Sequence, residues 1–86
     1  MDIREVVSGS FEIPAEVAFD LPRIMILGDG SIFVENYLAL AEYKRDSVKL
    51  VTKLGLLEFS GDGFEISMMK QNNIALKGKF YGLRIM

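Results

Sequence analysis

The chain has 86 residues, a formal net charge of −2, and neither cysteine nor histidine. This length predicts one domain that buries about 60 to 65% of its unfolded surface. The missing residue types exclude disulfides, thiol nucleophiles and histidine-based proton transfer, and the acidic balance offers no general attraction to nucleic acid. Half of the residues are hydrophobic, so we expect some apolar surface to contact a partner.

Residues 1–20 are predicted to form an N-terminal arm, and a single β domain is predicted over 21–86. Phe11 and Ile13 alternate with a glutamate, which favours a short edge strand that Pro14 would end. The start of the chain is acidic and lacks an apolar run, and no apolar run approaches the roughly 20 residues that span a bilayer. We therefore expect a cytoplasmic protein with no membrane span of its own.

A hairpin is predicted between Leu21 and Asn36. Two short runs of alternating apolar residues flank a Gly-Asp-Gly turn, in which Gly28 and Gly30 supply the backbone freedom of a tight loop. The alternating residues are Ile24, Ile26, Ile32 and Val34.

The next two strands are predicted over Tyr37–Tyr43 and Asp46–Thr52, joined by the turn KRDS. In the first strand, Leu38 and Leu40 are expected on one face and Tyr37 on the other. In the second, Val48 and Leu50 point to one side, whereas Lys49, Val51 and Lys53 point to the opposite side.

Two further hairpins are predicted from a repeat of the apolar-glycine pattern. One joins Leu57–Phe59 to Phe64–Met68, and the other joins Ile74–Lys77 to Phe80–Met86. About eight strands result, which predicts an all-β fold: a small antiparallel sandwich of consecutive hairpins, with a small barrel or roll as the alternative. The predicted structural turn residues are Gly28, Gly30, Gly55, Gly61, Gly63 and Gly78.

Acidic residues give no specific catalytic or metal-binding pattern. Asp29 and Asp62 lie in Gly-Asp-Gly sequences that lack the further residues of a P-loop or an EF-hand, so a turn role is expected. A hydrolase would need converging carboxylates, such as Glu35 with Glu58 or Asp20 with Glu35, but nothing in the sequence brings either pair together. We predict no catalytic residue, no metal ligand and no cofactor.

A nucleic-acid-binding module is the alternative function. Phe80 and Tyr81 would stack on bases of a single strand, while Lys77, Lys79 and Arg84 would contact its backbone. Most aromatic residues are instead expected in the core, and the leading prediction includes no nucleic acid.

Protein interaction is the leading functional prediction. The chain has more apolar residues than a small core is expected to bury. Its terminal strand could also lie at a sheet edge and pair with a partner or with a second copy of the chain. The candidate interface residues are Phe33, Val51 and Tyr81.

Several stretches resemble the YabP/YqfC family of sporulation proteins, and its YqfC branch in particular. These stretches are FEIPAEVAFDLPRI, ILGDGSIFVEN, KLGLLEFSGDGFEI and IALKGKFYGLRI, which together cover most of the chain from Phe11 to Met86. The most specific positions are Leu21-Pro22-Arg23-Ile24, Gly28, Glu35-Asn36, Gly55, Gly61 and Gly78.

The resemblance implies a small all-β domain of sandwich type that is needed in the mother cell of an endospore-forming bacterium. It also implies work beside an integral membrane protein rather than catalysis, with membrane association only through that partner. One position departs from the family pattern, since Tyr37 stands where a histidine is expected after the Glu-Asn pair. No catalytic or ligand role is therefore carried over to this chain.

Overall fold

The computed structural model describes residues 21–86, which form six β-strands and no helix. All neighbouring strands are antiparallel, and they form one open sheet in the order β1-β2-β6-β5-β4-β3. The predicted all-β antiparallel fold is confirmed. The strands are β1 (Arg23–Leu27), β2 (Ser31–Glu35), β3 (Ala39–Tyr43), β4 (Ser47–Thr52), β5 (Gly55–Met69) and β6 (Asn73–Ile85).

The first predicted hairpin is confirmed. Ile24 pairs with Val34 and Ile26 pairs with Ile32, so the alternating residues of β1 and β2 share one face. Gly28 in the turn has a φ of 60°, a left-handed conformation that glycine adopts without strain.

The strands β3 and β4 and the turn between them also match the prediction. The predicted orientation of Tyr37 and Leu38, which precede β3, is wrong. Leu38 is 58% exposed, whereas Tyr37 is buried in the core. Asn36 has a φ of 65°, which changes the direction of the chain, and the backbone N–H of Asn36 donates to the Asn72 carbonyl oxygen at 2.7 Å. Tyr37 thus lies before β3, where strand alternation does not apply.

The prediction of the two later hairpins is wrong, and residues 21–86 form six strands rather than the eight predicted. β5 runs without a break through Gly61 and Gly63, and β6 runs through Gly78, so none of these three glycines forms a turn between strands. Gly61 instead lies where a Cβ would overlap the Lys79 carbonyl oxygen. Register shifts in the β5–β6 pair occur beside these glycines. The glycines therefore permit bulges and close approach within long strands.

The core forms where the two halves of the long sheet fold toward each other. Residues of β2 and β4 belong to one buried cluster, although β6 and β5 lie between these two strands in the sheet. The turn before β4 also meets the second half of β5, because the Phe64 N–H donates to the Arg45 carbonyl oxygen at 2.8 Å. The buried residues are Ile32, Val34, Tyr37, Val48, Leu50, Leu57, Phe59, Phe64, Ile74 and Leu76.

The predicted arm, with its edge strand at Phe11 and Ile13, lies outside the described residues. The domain boundary at residue 21 stays a prediction. No helix among residues 21–86 has the length and apolar character needed to cross a membrane.

Candidate interaction surfaces

A shallow pocket lies on the outer face formed by β1, β2, β6 and the last part of β5. Side chains of Met25, Phe33 and Ala75 contribute to its wall, and these residues alternate with core residues on their strands. Lys77 and Leu27 also line the pocket, whose volume is about 200 Å³. This is below the roughly 300 to 1,000 Å³ of common small-molecule sites, so the pocket suits one inserted side chain.

A second apolar surface lies on the outer face of β3, β4 and β5. Val51 is 37% exposed and pairs with Ala39 on one side and with Leu56 on the other. Leu56 in turn exchanges two backbone hydrogen bonds with Met86, at 3.3 and 2.8 Å. The outer face therefore carries an apolar row of Ala39, Val51, Leu56 and Met86.

A row of alternating charges runs beside this apolar row. The Lys49 Nζ atom lies 3.5 Å from Glu42 Oε2 and 3.6 Å from Glu58 Oε2. Glu58 Oε1 lies 2.9 Å from Arg84 Nη2. This ion-pair row, Glu42-Lys49-Glu58-Arg84, crosses β3, β4, β5 and β6 in register.

Two lysines control the ionisation of Glu42 at the end of the row. Desolvation raises the pKa of Glu42, but Lys44 at 3.5 Å and Lys49 at 3.5 Å act against it, and the net effect lowers the pKa below its usual value. The Ser47 hydroxyl donates to Glu42 Oε2 at 3.4 Å. The folded chain therefore favours the ionised carboxylate.

The three candidate interface residues do not form one patch. Phe33 lines the pocket, whereas Val51 lies in the apolar row on the other half of the sheet. Tyr81, 63% exposed, follows Lys79 on β6, and the Lys79 Nζ atom lies 5.9 Å from its ring centroid. Because Arg84 belongs to the ion-pair row, this row lies between Tyr81 and the Met86 end of the apolar row.

Not all of the side chains predicted to contact a nucleic acid are free to do so. Phe80 packs against the core cluster, and Arg84 is held by Glu58 at 2.9 Å. Tyr81, Lys77 and Lys79 keep exposed side chains.

Of the two carboxylate pairs considered for a hydrolase, Glu35 and Glu58 are not brought together. Glu35 pairs with Asn73 at the start of β6, whereas Glu58 pairs with Arg84 near its end. Asp20 lies outside the described residues. Within the part of the chain that the structure describes, no three Asp or Glu residues are grouped so that they could hold a metal ion.

Sequence reasoning missed Met25 and Leu27 as pocket residues, and it predicted no ion pair between Lys49 and Glu58. The pocket arises because residues of β1, β2, β5 and β6 come together, which depends on the pairing of β2 with β6. The alternation around Ile24 and Ile26 was a signal for Met25, since it places Met25 on the outer face. No local signal identified β6 as the neighbour of β2.

A family model for the YabP family matches residues 20–85 of this chain. The chain belongs to the YabP family. It is also 36% identical over 69 residues to the Bacillus subtilis (strain 168) protein named "Uncharacterized protein YqfC", a match that covers 80% of this chain and 74% of that protein. The resemblance inferred from the sequence is thereby confirmed.

Tyr37 occupies the position at which the resemblance leads us to expect histidine. Its ring is 4% exposed, and its hydroxyl donates to the Lys70 carbonyl oxygen at 3.0 Å. Tyr37 thus joins the segment before β3 to the β5–β6 connection, which is a structural role.

Proposed function

We propose that this YabP-family chain is a non-enzymatic sporulation protein that binds another protein in the mother cell. The observation that carries the proposal is the pocket lined by Met25, Leu27 and Phe33 on an outer face. An apolar depression of this size would take up one large side chain of a partner, and such anchors supply much of the affinity of protein interfaces. The apolar row around Val51 offers a second contact area.

The partner is proposed to be an integral membrane protein. This part of the proposal rests on the family resemblance, and it would place a cytoplasmic domain at the membrane through its partner. The outer apolar residues support binding, because a partner would cover Met25 and Val51, which are 39% and 37% exposed.

The proposal is tested by site-specific photocrosslinking in sporulating cells. A photoreactive residue replaces Phe33 in one variant and Val51 in another, and Arg45, whose side chain is 83% exposed in the turn between β3 and β4, serves as the control position. We expect one membrane protein to be crosslinked at Phe33 or Val51 and not at Arg45. Equal recovery at all three positions, or recovery of nucleic acid alone, would contradict the proposal.

A further inference from the structure

β6 has an open backbone edge along its last residues. β2 pairs with β6 only from Asn73 to Lys77. Met86 exchanges two hydrogen bonds with Leu56, so by antiparallel alternation the backbone groups of Leu83 and Ile85 point away from β5. No strand among residues 21–86 pairs with this side of Leu83 and Ile85. The edge therefore offers their N–H groups and carbonyl oxygens to an added strand.

Two rows of core residues end at the same edge. Each row crosses β4, β5 and β6 in register, and its β4 and β5 residues are fully buried. The rows are Val48-Phe59-Leu83 and Leu50-Leu57-Ile85. Leu83 and Ile85 are nevertheless 36% and 53% exposed. An apolar residue beside each of them on an added strand would extend both rows.

The ion-pair row is balanced at its β3 end and unbalanced at its β6 end. The Glu42 carboxylate oxygens lie 3.5 Å from the Nζ atoms of Lys44 and Lys49. Glu58 also lies between two cations, Lys49 and Arg84. Arg84, at the open edge, contacts only this one carboxylate among residues 21–86, and its side chain is 67% exposed. A second carboxylate would fit on the far side of Arg84, since a guanidinium has five N–H donors.

We propose that the open edge of β6 binds an extended acidic segment of the partner protein, in which a glutamate or aspartate lies between two large apolar residues. This inference rests on the proposed function and names the part of the partner that is bound. The segment adds an antiparallel strand, the direction of every strand pair in this sheet.

Each part of the bound segment has its own contact on β6. Its backbone bonds Leu83 and Ile85, its two apolar side chains extend the core rows, and its carboxylate contacts Arg84 on the outer face. In strand addition of this kind, the backbone hydrogen bonds supply affinity and the alternate side chains supply specificity.

Binding of two synthetic peptides to the full chain tests the charge selection. Both peptides alternate threonine with valine, and the central threonine is replaced by glutamate in one and by lysine in the other. We expect the glutamate peptide to bind at least tenfold more tightly at low ionic strength, because the lysine peptide would place like charges opposite each other.

Arg84→Glu should reverse this preference, whereas Arg45→Glu, which changes a side chain that is 83% exposed in a turn, should keep it. A reversed preference requires a folded chain, so loss of structure does not imitate it. Equal affinity for the two peptides, or a preference that Arg84→Glu leaves unchanged, would overturn the proposal.

Amide NMR signals locate the bound glutamate peptide. We expect shifts at Leu83 and Ile85 and none at Met25 on the edge strand β1 or Leu40 on the edge strand β3. A methyl group on the backbone nitrogen of a valine beside the glutamate should lower affinity at least tenfold, because that N–H faces β6. The same change on the glutamate nitrogen, which faces away, should matter little. Shifts confined to β1 or β3, or equal affinity of the two methylated peptides, would overturn the proposal.

Failure of this inference is distinguishable from failure of the proposed function. A chain that is crosslinked to a membrane protein through Phe33 or Val51 but does not bind the glutamate peptide would overturn the acidic-strand inference alone. Binding of that peptide at Leu83 and Ile85 without any crosslinked protein would support the inference and contradict the proposed partner.

Discussion

The ring of Phe64 lies against Gly61, so that a Cβ on Gly61 would be 2.5 Å from Phe64 Cζ and would also overlap the Lys79 carbonyl oxygen. A backbone atom cannot move away as a flexible side chain can. Gly61 therefore supports the close contact between β5 and β6, even though its φ is not in the left-handed region.

We expect Gly61→Ala to lower the free energy of unfolding by at least about 2 kcal/mol, and Gly61→Val by more, because any Cβ overpacks this contact. Chemical denaturation measures the change. Gly82→Ala is the matched control, since a Cβ at Gly82 on the same strand pair would meet nothing within 4 Å. Equal denaturation midpoints for Gly61→Ala and Gly82→Ala would show that the contact is not needed.

Tyr37→Phe removes one buried hydrogen bond, that from the Tyr37 hydroxyl to the Lys70 carbonyl oxygen. We expect a loss of about 0.5 to 1.5 kcal/mol in the free energy of unfolding. Tyr37→His should cost more, because it also reduces the apolar volume of a ring that is 4% exposed. Thermal melts compare these variants with Tyr81→Phe, which alters an exposed tyrosine and should change stability little.

Glu42→Gln should alter the pH dependence of stability. Because the pKa of Glu42 is lower in the folded chain than in the unfolded chain, ionised Glu42 stabilises the fold at pH values above its unfolded pKa. This contribution is lost as the pH falls through the folded pKa. Melting temperatures of the wild type and Glu42→Gln should therefore differ at neutral pH and converge in acid. A difference independent of pH would contradict this account.

Val51→Lys should weaken partner binding while the chain stays folded. Val51 lies on an outer face, so the added charge enters solvent in the free chain but would be buried against an apolar partner. Affinity for the crosslinked membrane protein measures the effect, and Val51→Ile serves as the apolar control. A loss of stability larger than that of Gly61→Ala would show that the face of Val51 is wrongly assigned.

The parts of the fold that depend on neighbouring residues were predictable. Alternation around Ile24 and Ile32 identified the first hairpin, and the polar turn between β3 and β4 separated those strands. Gly61 and Gly78 were misassigned, because a sequence does not distinguish a glycine in a turn from one that admits a close neighbour. That distinction depends on where the Phe64 ring lies, which is set by tertiary packing.

The candidate surfaces were predictable only in part. Phe33 and Val51 follow from alternation, but the pocket depends on the non-local pairing of β2 with β6. Phe80 illustrates the limit, because it packs against the core and so does the side of the strand that carries Leu83, three positions later, opposite the buried Phe59. The β5–β6 partners advance by one residue on β5 and two on β6 at this point, so simple alternation does not hold there.

The ion-pair row should also favour the native register of β4 on β5. If β4 slipped by two residues along β5, Leu50 would face Phe59 and the core side would still be apolar, so hydrophobic contacts penalise this error weakly. Lys49 would then face Ser60 and lose Glu58. Each exposed ion pair contributes only about 0 to 1 kcal/mol, yet the slipped arrangement forfeits the Lys49–Glu58 contact and breaks the alternation of charges across four strands. Weak ion pairs on the surface can thus favour one of two β4–β5 registers whose hydrophobic contacts in the core are almost equally favourable.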